Sequence, residues 1–270
     1  MTRFLVVPQW QGSPAARAMH LVDGAEAIAG DLPRASTARV EVPASAGEAL
    51  GTGIRRYSAL ARIADAVTDA LGQAAEPAIV VGGDCGVAVP AIAHAAEQHP
   101  DLAVVWFDAH ADLTSPATSP SGAFAGMALR AVFTDLPLPG SGAVAADRVI
   151  LAGAREFDPA EQAFVDEVGL RVLSVDDLAH PGALAEAVAA TRASAVYIHV
   201  DLDVLDPAVI TGVGLPVPFG LTLDQLTGAI AAVRARRPLV GASLAGFAPA
   251  DPAAAVDDLG TILRIVGALA

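Results

Sequence analysis

Short apolar runs alternate along the chain with longer, Ala-rich segments. The runs are rich in Val, Ile and Leu and occupy residues 4–10, 39–43, 78–84, 102–110, 147–153, 170–178, 195–206 and 238–247. Apolar residues recur with helical spacing between many of them, as in segments 55–71, 87–98, 181–192 and 223–236. Continuous apolar strands alternating with helices predict an α/β fold with a mainly parallel sheet covered on both faces. We expect about eight strands in a single domain spanning residues 1–270.

Composition narrows the functional classes. The net charge of −14 argues against nucleic acid or an anionic membrane as partner, so a small-molecule substrate is expected. All basic residues are Arg, which excludes Schiff-base and Walker-type lysine chemistry. The single Cys85 excludes an intrachain disulfide framework and favours a reducing cytoplasm. We identify no transmembrane stretch, and the apolar patch near the first residue is too short for a signal peptide.

Acidic residues and a histidine follow the run at 102–110, in the stretch "VVWFDAHADL". If the strand continues to Asp112, then Asp108, His110 and Asp112 point the same way. Polar and charged groups on one face of a buried element are costly unless a cation neutralises them. The stretch therefore favours a metal site at the end of the strand.

A second cluster follows the run at 195–206, in "HVDLDVLDP". There His199, Asp201 and Asp203 share a face. Active sites of doubly wound folds lie beyond the carboxyl ends of the strands, so the two clusters can converge there. Their carboxylates and imidazole suit Mn²⁺ and, less selectively, other divalent ions, with Asp108 and Asp201 as bridging ligands of an ion pair. The alternative is that each cluster is a solvated strand end with a helix-capping Asp.

The motifs in these positions resemble those of the ureohydrolase family, which includes arginase, agmatinase and formimidoylglutamase. The matching segments are "GGDCG" (82–86), "WFDAHADL" (106–113), "AREFDPAE" (154–161), "HVDLDVLDP" (199–207) and "GVGLPVPFGLT" (212–222). The resemblance implies a three-layer α/β/α fold with an eight-stranded sheet, usually in a trimer or hexamer. It also implies two Mn²⁺ ions that activate water for attack on an amidine carbon.

Carried over residue by residue, the resemblance makes Asp108 and Asp201 bridging ligands. His110 and Asp203 would complete one site, and Asp112 would help to complete the other. The family's remaining ligand is a His, but Cys85 stands there. A thiolate would bias that site towards Zn²⁺ or Fe²⁺, whereas a neutral thiol would leave it weak or empty; both alternatives stay open.

The substrate side departs further from the family. Ala125 replaces a proton-shuttling His, and Ala123 replaces a polar residue that in arginase holds the amino-acid end of the substrate. Gly246 replaces the Glu that grips the guanidinium group, and Leu215 replaces a substrate-facing Thr. Of the polar groups that the resemblance implies near the substrate, Asp158 is the one most clearly retained. We therefore expect a wider, more apolar pocket that suits a less cationic amide or amidine.

His199 stands where relatives often have Ser. It is either a buried group that orients Asp201 or relays protons from beneath the metals, or a core histidine bonded to a backbone carbonyl. Three functions remain open: a metal-dependent hydrolase of a linear C–N bond with a non-standard substrate, a non-catalytic structural or regulatory relative, and, less favoured, a deacetylase-like amide hydrolase with one Zn²⁺.

Overall fold

The strands form a single parallel sheet. The computed structural model describes residues 2–73, 76–180 and 182–270. Eight strands lie in this part of the chain: β1 Arg3–Val7, β2 Thr37–Arg39, β3 Ala78–Gly82, β4 Ala103–Phe107, β5 Val149–Ala152, β6 Arg171–Leu173, β7 Val196–Asp201 and β8 Leu239–Ala245. Their order in the sheet is β2-β1-β3-β8-β7-β4-β5-β6, and every pairing is parallel.

Helices cover both faces of this sheet. Within the described residues they are α1 His20–Gly30, α2 Tyr57–Gly72, α3 Ala88–Gln98, α4 Ala128–Phe133, α5 Pro159–Val168, α6 Val175–Leu178, α7 Ala183–Ala190, α8 Leu223–Arg234 and α9 Ala255–Leu269. None of these helices is both long and apolar enough to cross a membrane.

The alternating direction of side chains along the central strands divides the core into two layers. Val104 and Trp106 of β4 pack into one cluster with α2, α3 and α4, whereas Val105 and Phe107 pack into the other with α1, α7, α8 and α9. Successive strand residues point to opposite faces, so an apolar run of this kind is buried on both sides. The three-layer α/β/α fold with an eight-stranded sheet is confirmed.

All eight strands of the described residues end before the corresponding apolar run does, and the difference is largest for β2, β6 and β7. Strand β2 covers only Thr37–Arg39 instead of 39–43, because it is an edge strand that pairs with β1 alone. The run at 170–178 was predicted as one element, but Ser174 caps helix α6 through a hydrogen-bonded box with Asp177 and ends β6. The run at 195–206 stops at Asp201, where a 3₁₀ turn begins.

The predicted helices agree with the structure to within a few residues. Segment 55–71 corresponds to α2, 87–98 to α3 and 223–236 to α8. Segment 181–192 contains α7, although its first residue, Pro181, lies outside the described residues.

The adjacent strands β3, β8, β7 and β4 lie at the centre of the sheet. Because all of them are parallel, their carboxyl ends reach the same edge. The segments that follow them therefore come together there, which is where ligands bind in open α/β sheets.

A close approach between helix α1 and the segment after β8 gives a test of this packing. A Cβ atom at Gly24 would come closer to the backbone carbonyl of Phe247 than atoms approach in proteins, whereas one at Gly30 of the same helix would meet open space. We expect Gly24→Ala to lower the free energy of unfolding by about 1–3 kcal/mol through overpacking. Gly30→Ala should leave it unchanged or raise it by up to about 1 kcal/mol. Urea denaturation checks both, and equal effects would contradict the packing described.

Candidate metal centre

A cavity of about 310 Å³ opens at the carboxyl edge of the sheet. The ends of the four central strands and the N-terminal loop contribute to its wall. All of the metal ligands predicted from the sequence line it, namely Cys85, Asp108, His110, Asp112, Asp201 and Asp203.

The segment after β4 turns sharply instead of continuing as a strand. Asp108 Oδ1 accepts a hydrogen bond from the His110 backbone N–H at 2.7 Å, and Asp112 has a left-handed backbone with φ of 53°. The prediction that the strand persists to Asp112 is therefore wrong, because the Asp108 side chain satisfies a backbone group that a strand would pair. The turn, not strand alternation, brings the three side chains to the cavity.

The segment after β7 is linked to this turn by hydrogen bonds. Asp201 Oδ1 accepts from the Asp203 backbone N–H at 2.9 Å and so begins a 3₁₀ turn. Asp203 Oδ1 accepts from the Ala109 backbone N–H at 3.0 Å, and its Oδ2 lies 3.0 Å from His110 Nδ1. The two acidic motifs therefore hold each other in place.

The segment after β3 brings a thiol to the same acidic patch, which contains Asp108, Asp112, Asp201 and Asp203. Cys85 is buried, and its Sγ donates to Asp201 Oδ2 at 2.8 Å. The preceding Asp84 also lines the cavity, but it accepts from Gln9 Nε2, the Gly12 N–H and the Gly86 N–H. Its oxygens are satisfied by these donors, so Asp84 acts as a structural cap beside the site.

Burial makes the ionised form of this cluster unfavourable. Desolvation, with repulsion between the carboxylates, raises the pKa of Asp201 to about 7 and that of Asp203 to about 6. The same causes raise the pKa of Asp108 and of Asp112. Burial alone would lower the pKa of His110, but its interactions with Asp108 and Asp203 raise it above the usual range. A cluster of this kind binds either protons or cations.

Two unpartnered atoms accompany the carboxylates. Among the described residues, Asp112 Oδ2 and His199 Nε2 are buried without a hydrogen-bond partner. The described part of the chain also contains two compact groups of potential metal ligands, Cys85–Asp108–His199 and Asp108–His110–Asp203, which share Asp108. Buried polar atoms normally have partners, so the donor set fits divalent ions in this patch.

His199 lies beneath the cavity and does not line it. The residue has no exposed surface, its Nδ1 lies 2.8 Å from Ser243 Oγ, and its ring centroid is 3.8 Å from that of Trp106. The partner of His199 is therefore the hydroxyl of Ser243. The sequence had left open two other roles, the orientation of Asp201 and a bond to a backbone carbonyl.

Comparisons with known proteins show the family to which this chain belongs. The Arginase family model matches residues 17–259. The chain belongs to the arginase family. It is 34% identical to a hepatic arginase of Aquarana catesbeiana over 61% of this chain and 55% of that protein. It is 32% identical to an arginase of Bacillus caldovelox over 73% of this chain and 68% of that protein.

The likeness extends to solved structures. The Entamoeba histolytica arginase, solved in complex with L-ornithine, superposes with a TM-score of 0.86 over 99% of this chain and 97% of that one, at 20% identity. At that identity the superposition establishes the fold. The sequence alignment to the hepatic enzyme spans only about half of its length.

The arginase-family motif "AREFDPAE" contributes one side of the cavity. Asp158 lines it but also caps α5, since its Oδ1 accepts from the Ala160 and Glu161 N–H groups at 2.8 and 2.7 Å. Glu156 and Glu161 line the cavity too, and Glu161 accepts from the Leu113 N–H at 3.0 Å. Sequence reasoning missed both glutamates, although the quoted motif contains them.

Small and apolar residues form much of the remaining wall. Ala125, Leu215 and Gly246 line the cavity as predicted from the family pattern, whereas Ala123 is buried outside the lining. The N-terminal loop adds Ser13, Pro14 and Ala15. No motif marks this loop in the sequence, so its contribution was not predicted.

Gly246 fits against the carboxylate of Asp201. Its φ is 88°, and a Cβ atom there would collide with Asp201 Oδ1. Both the backbone conformation and the contact require glycine. Gly246 is therefore part of the support of a candidate metal ligand.

Substitution of Gly246 tests this support. We expect Gly246→Ala to displace the Asp201 carboxylate, lower the free energy of unfolding by about 1–3 kcal/mol and reduce bound divalent metal. Gly267→Ala, on helix α9, is the matched control, because the added Cβ would meet open space among the described residues. It should leave the bound metal unchanged, and it should leave the free energy of unfolding unchanged or raise it by up to about 1 kcal/mol. Metal analysis and urea denaturation measure both, and unaltered metal content in Gly246→Ala would contradict the role.

The dependence of stability on pH tests the carboxylate cluster. With the pKa of Asp201 raised to about 7 and that of Asp203 to about 6, the folded chain binds more protons than the unfolded chain between about pH 4 and 7. The free energy of unfolding of chelator-treated protein should therefore fall by at least about 1 kcal/mol across this range. Urea denaturation at several pH values measures it.

Asp201→Asn serves as the comparison for this measurement. The substitution removes one titrating group. The free energy of unfolding of Asp201→Asn should therefore decline less steeply with rising pH than that of the wild type. Stability that rises with pH in the chelator-treated wild type would contradict the shifted pKa values.

Proposed function

We propose that this chain is a metal-dependent hydrolase of a linear C–N bond in an amidine, guanidine or amide, acting on a non-standard small-molecule substrate. The observation that carries the proposal is the convergence of two ligand groups, sharing Asp108, on one cavity of an arginase-family fold. The donor set would hold two divalent ions, with Asp108 and Asp201 as ligands common to both. Mn²⁺ suits the carboxylates, and Cys85 adds a preference for Zn²⁺ or Fe²⁺.

When bound, such ions supply a water nucleophile at neutral pH and polarise the bond under attack. The protein's residues prepare the place for this chemistry. Asp203 and Asp108 orient His110 by hydrogen bonds to its ring and backbone. The Trp106 indole N–H donates to Asp108 Oδ2 at 3.2 Å and fixes that carboxylate. Ligands held in this way lose little entropy on binding an ion.

The cavity wall favours a weakly cationic reacting group. A desolvated guanidinium requires a charge-assisted partner, and Gly246 provides no side chain for it. Ala125 provides no proton shuttle, which typically contributes about 10²–10⁴-fold to rate. Asp158 and Glu156 lie on one side of the cavity and can bind a polar end of the substrate away from the reacting carbon.

Two features of the wall favour a second function. Ala125 and Gly246 both lack a group able to transfer protons or bind a cation, which is the pattern of a metal-binding relative with a structural or regulatory role.

We also propose that the chain forms a homo-oligomer, a trimer or hexamer, in the cytoplasm. Exposed apolar side chains, with Phe219 at 86% and Val256 at 70% exposure, support association between copies.

The proposed function is tested by turnover of a panel of guanidines, amidines and amides with Mn²⁺ or Zn²⁺ added. We expect Asp108→Asn to lower kcat/KM at least about 10²-fold, because the shared ligand loses its charge. Asp206→Asn is the matched control: it makes the same chemical change near the site, at an exposed turn where Asp206 accepts from the Ala208 and Gly220 N–H groups. Release of ammonia or an amine is the measurement.

The control should retain the activity of the wild type. Stoichiometric metal without turnover of any member of the panel would favour the structural or regulatory function instead. Equal activity in Asp108→Asn and the wild type would show that the hydrolysis does not use this centre.

A further inference from the structure

We propose that Cys85, Asp108 and His199 form a Zn²⁺ site in which the imidazole of His199 binds the ion from beneath the cavity. The inference rests on the proposed function only in placing an ion in the same carboxylate patch. It concerns the identity of the ion and its ligands, which can be measured without a substrate.

The three ligand atoms are already close together. One donor atom each from Cys85, Asp108 and His199 lies within 4.8 Å of the other two, and all three residues are buried. Bonds to zinc are about 2.3 Å from sulfur and about 2.0–2.2 Å from nitrogen or oxygen. An ion between the three atoms therefore requires only small side-chain movements. Cys85 and Asp108 line the cavity, which gives an ion access from solvent.

The orientation of His199 is that of a metal-binding imidazole. Its Nδ1 is bound to Ser243 Oγ, and the Trp106 ring packs against it. Its Nε2 is buried and has no hydrogen-bond partner among the residues that the structure describes. Metal-binding histidines commonly donate their other ring N–H to an oxygen, which leaves the free nitrogen lone pair for the ion. An unsatisfied buried polar group costs about 1–3 kcal/mol, so an ion at Nε2 would remove a real penalty.

The donor set selects the metal. A thiolate is a soft ligand and an imidazole a borderline one, and together they favour Zn²⁺ over Mn²⁺ although the third ligand is a hard carboxylate. Binding would replace the thiol proton that Cys85 now donates to Asp201 Oδ2, and this proton would be released to solvent. The second ligand group, Asp108–His110–Asp203, contains no sulfur. The two halves of the patch are therefore chemically different, and they share one carboxylate.

The experiment uses the full chain, purified without chelator, stripped of metal and then loaded with equal concentrations of Zn²⁺ and Mn²⁺. We expect zinc to be retained in preference to manganese. In the protein loaded with Co²⁺, a thiolate-to-cobalt charge-transfer band should appear and should be absent in Cys85→Ser. His199→Gln should lower Zn²⁺ affinity about 10–100-fold and alter the visible cobalt spectrum.

His94→Gln is the matched control, because His94 lies near the amino end of β3, beside Ala78, far from the carboxyl edge of the sheet. It should leave Zn²⁺ affinity and the cobalt spectrum unchanged. A folded His199→Gln protein with wild-type affinity and spectrum would overturn the proposal. So would preferential retention of Mn²⁺ by the wild type.

A measurement on the wild type covers the case in which His199→Gln does not fold. In cadmium-loaded protein, nitrogen NMR should show scalar coupling between the metal and His199 Nε2, and absence of that coupling would overturn the proposal. Zinc bound through Cys85 and His199 without hydrolysis of any substrate would contradict only the proposed function. Hydrolysis with no thiolate band would contradict only this inference.

Discussion

The burial of four mutually repelling carboxylates at one edge of the sheet is the constraint on which the site depends. Asp108, Asp112, Asp201 and Asp203 are each at most 7% exposed. Desolvation and mutual repulsion raise their pKa values, so the arrangement is costly unless protons or cations neutralise it. The surrounding hydrogen bonds hold the carboxylates together against this repulsion.

Several contacts outside the ligand set provide that support. The Arg155 guanidinium donates to the backbone carbonyls of Asp203, Val217 and Pro218, which joins the segment after β7 to the loop that follows. Asp84 gathers backbone and side-chain donors from the N-terminal loop. Gly246 leaves the space that the Asp201 carboxylate fills. The acidic patch is therefore built by loops from several parts of the chain, each fixed by polar contacts to buried backbone.

Two residues that the sequence resemblance marks as departures from the family pattern are neighbours in space. The resemblance implies a His where Cys85 stands and a Ser where His199 stands. Their donor atoms, with one from Asp108, lie within 4.8 Å of one another. The imidazole of His199 comes from strand β7, and the thiol of Cys85 comes from the turn after β3. The cavity wall at Ala125 and Gly246, in contrast, has no polar side chain from these two residues.

The sequence by itself determined the sheet and the edge at which the acidic residues meet, because both depend on local patterns. Unbroken apolar runs can be buried only between two helical layers, and acidic residues after parallel strands must meet at one edge. The tertiary structure decided the rest. The turn at Asp108, the access of Glu156 and Ser13 to the cavity, and the free Nε2 of His199 depend on contacts between residues far apart in the chain. Such contacts leave no periodic signal, so only the packed fold could show them.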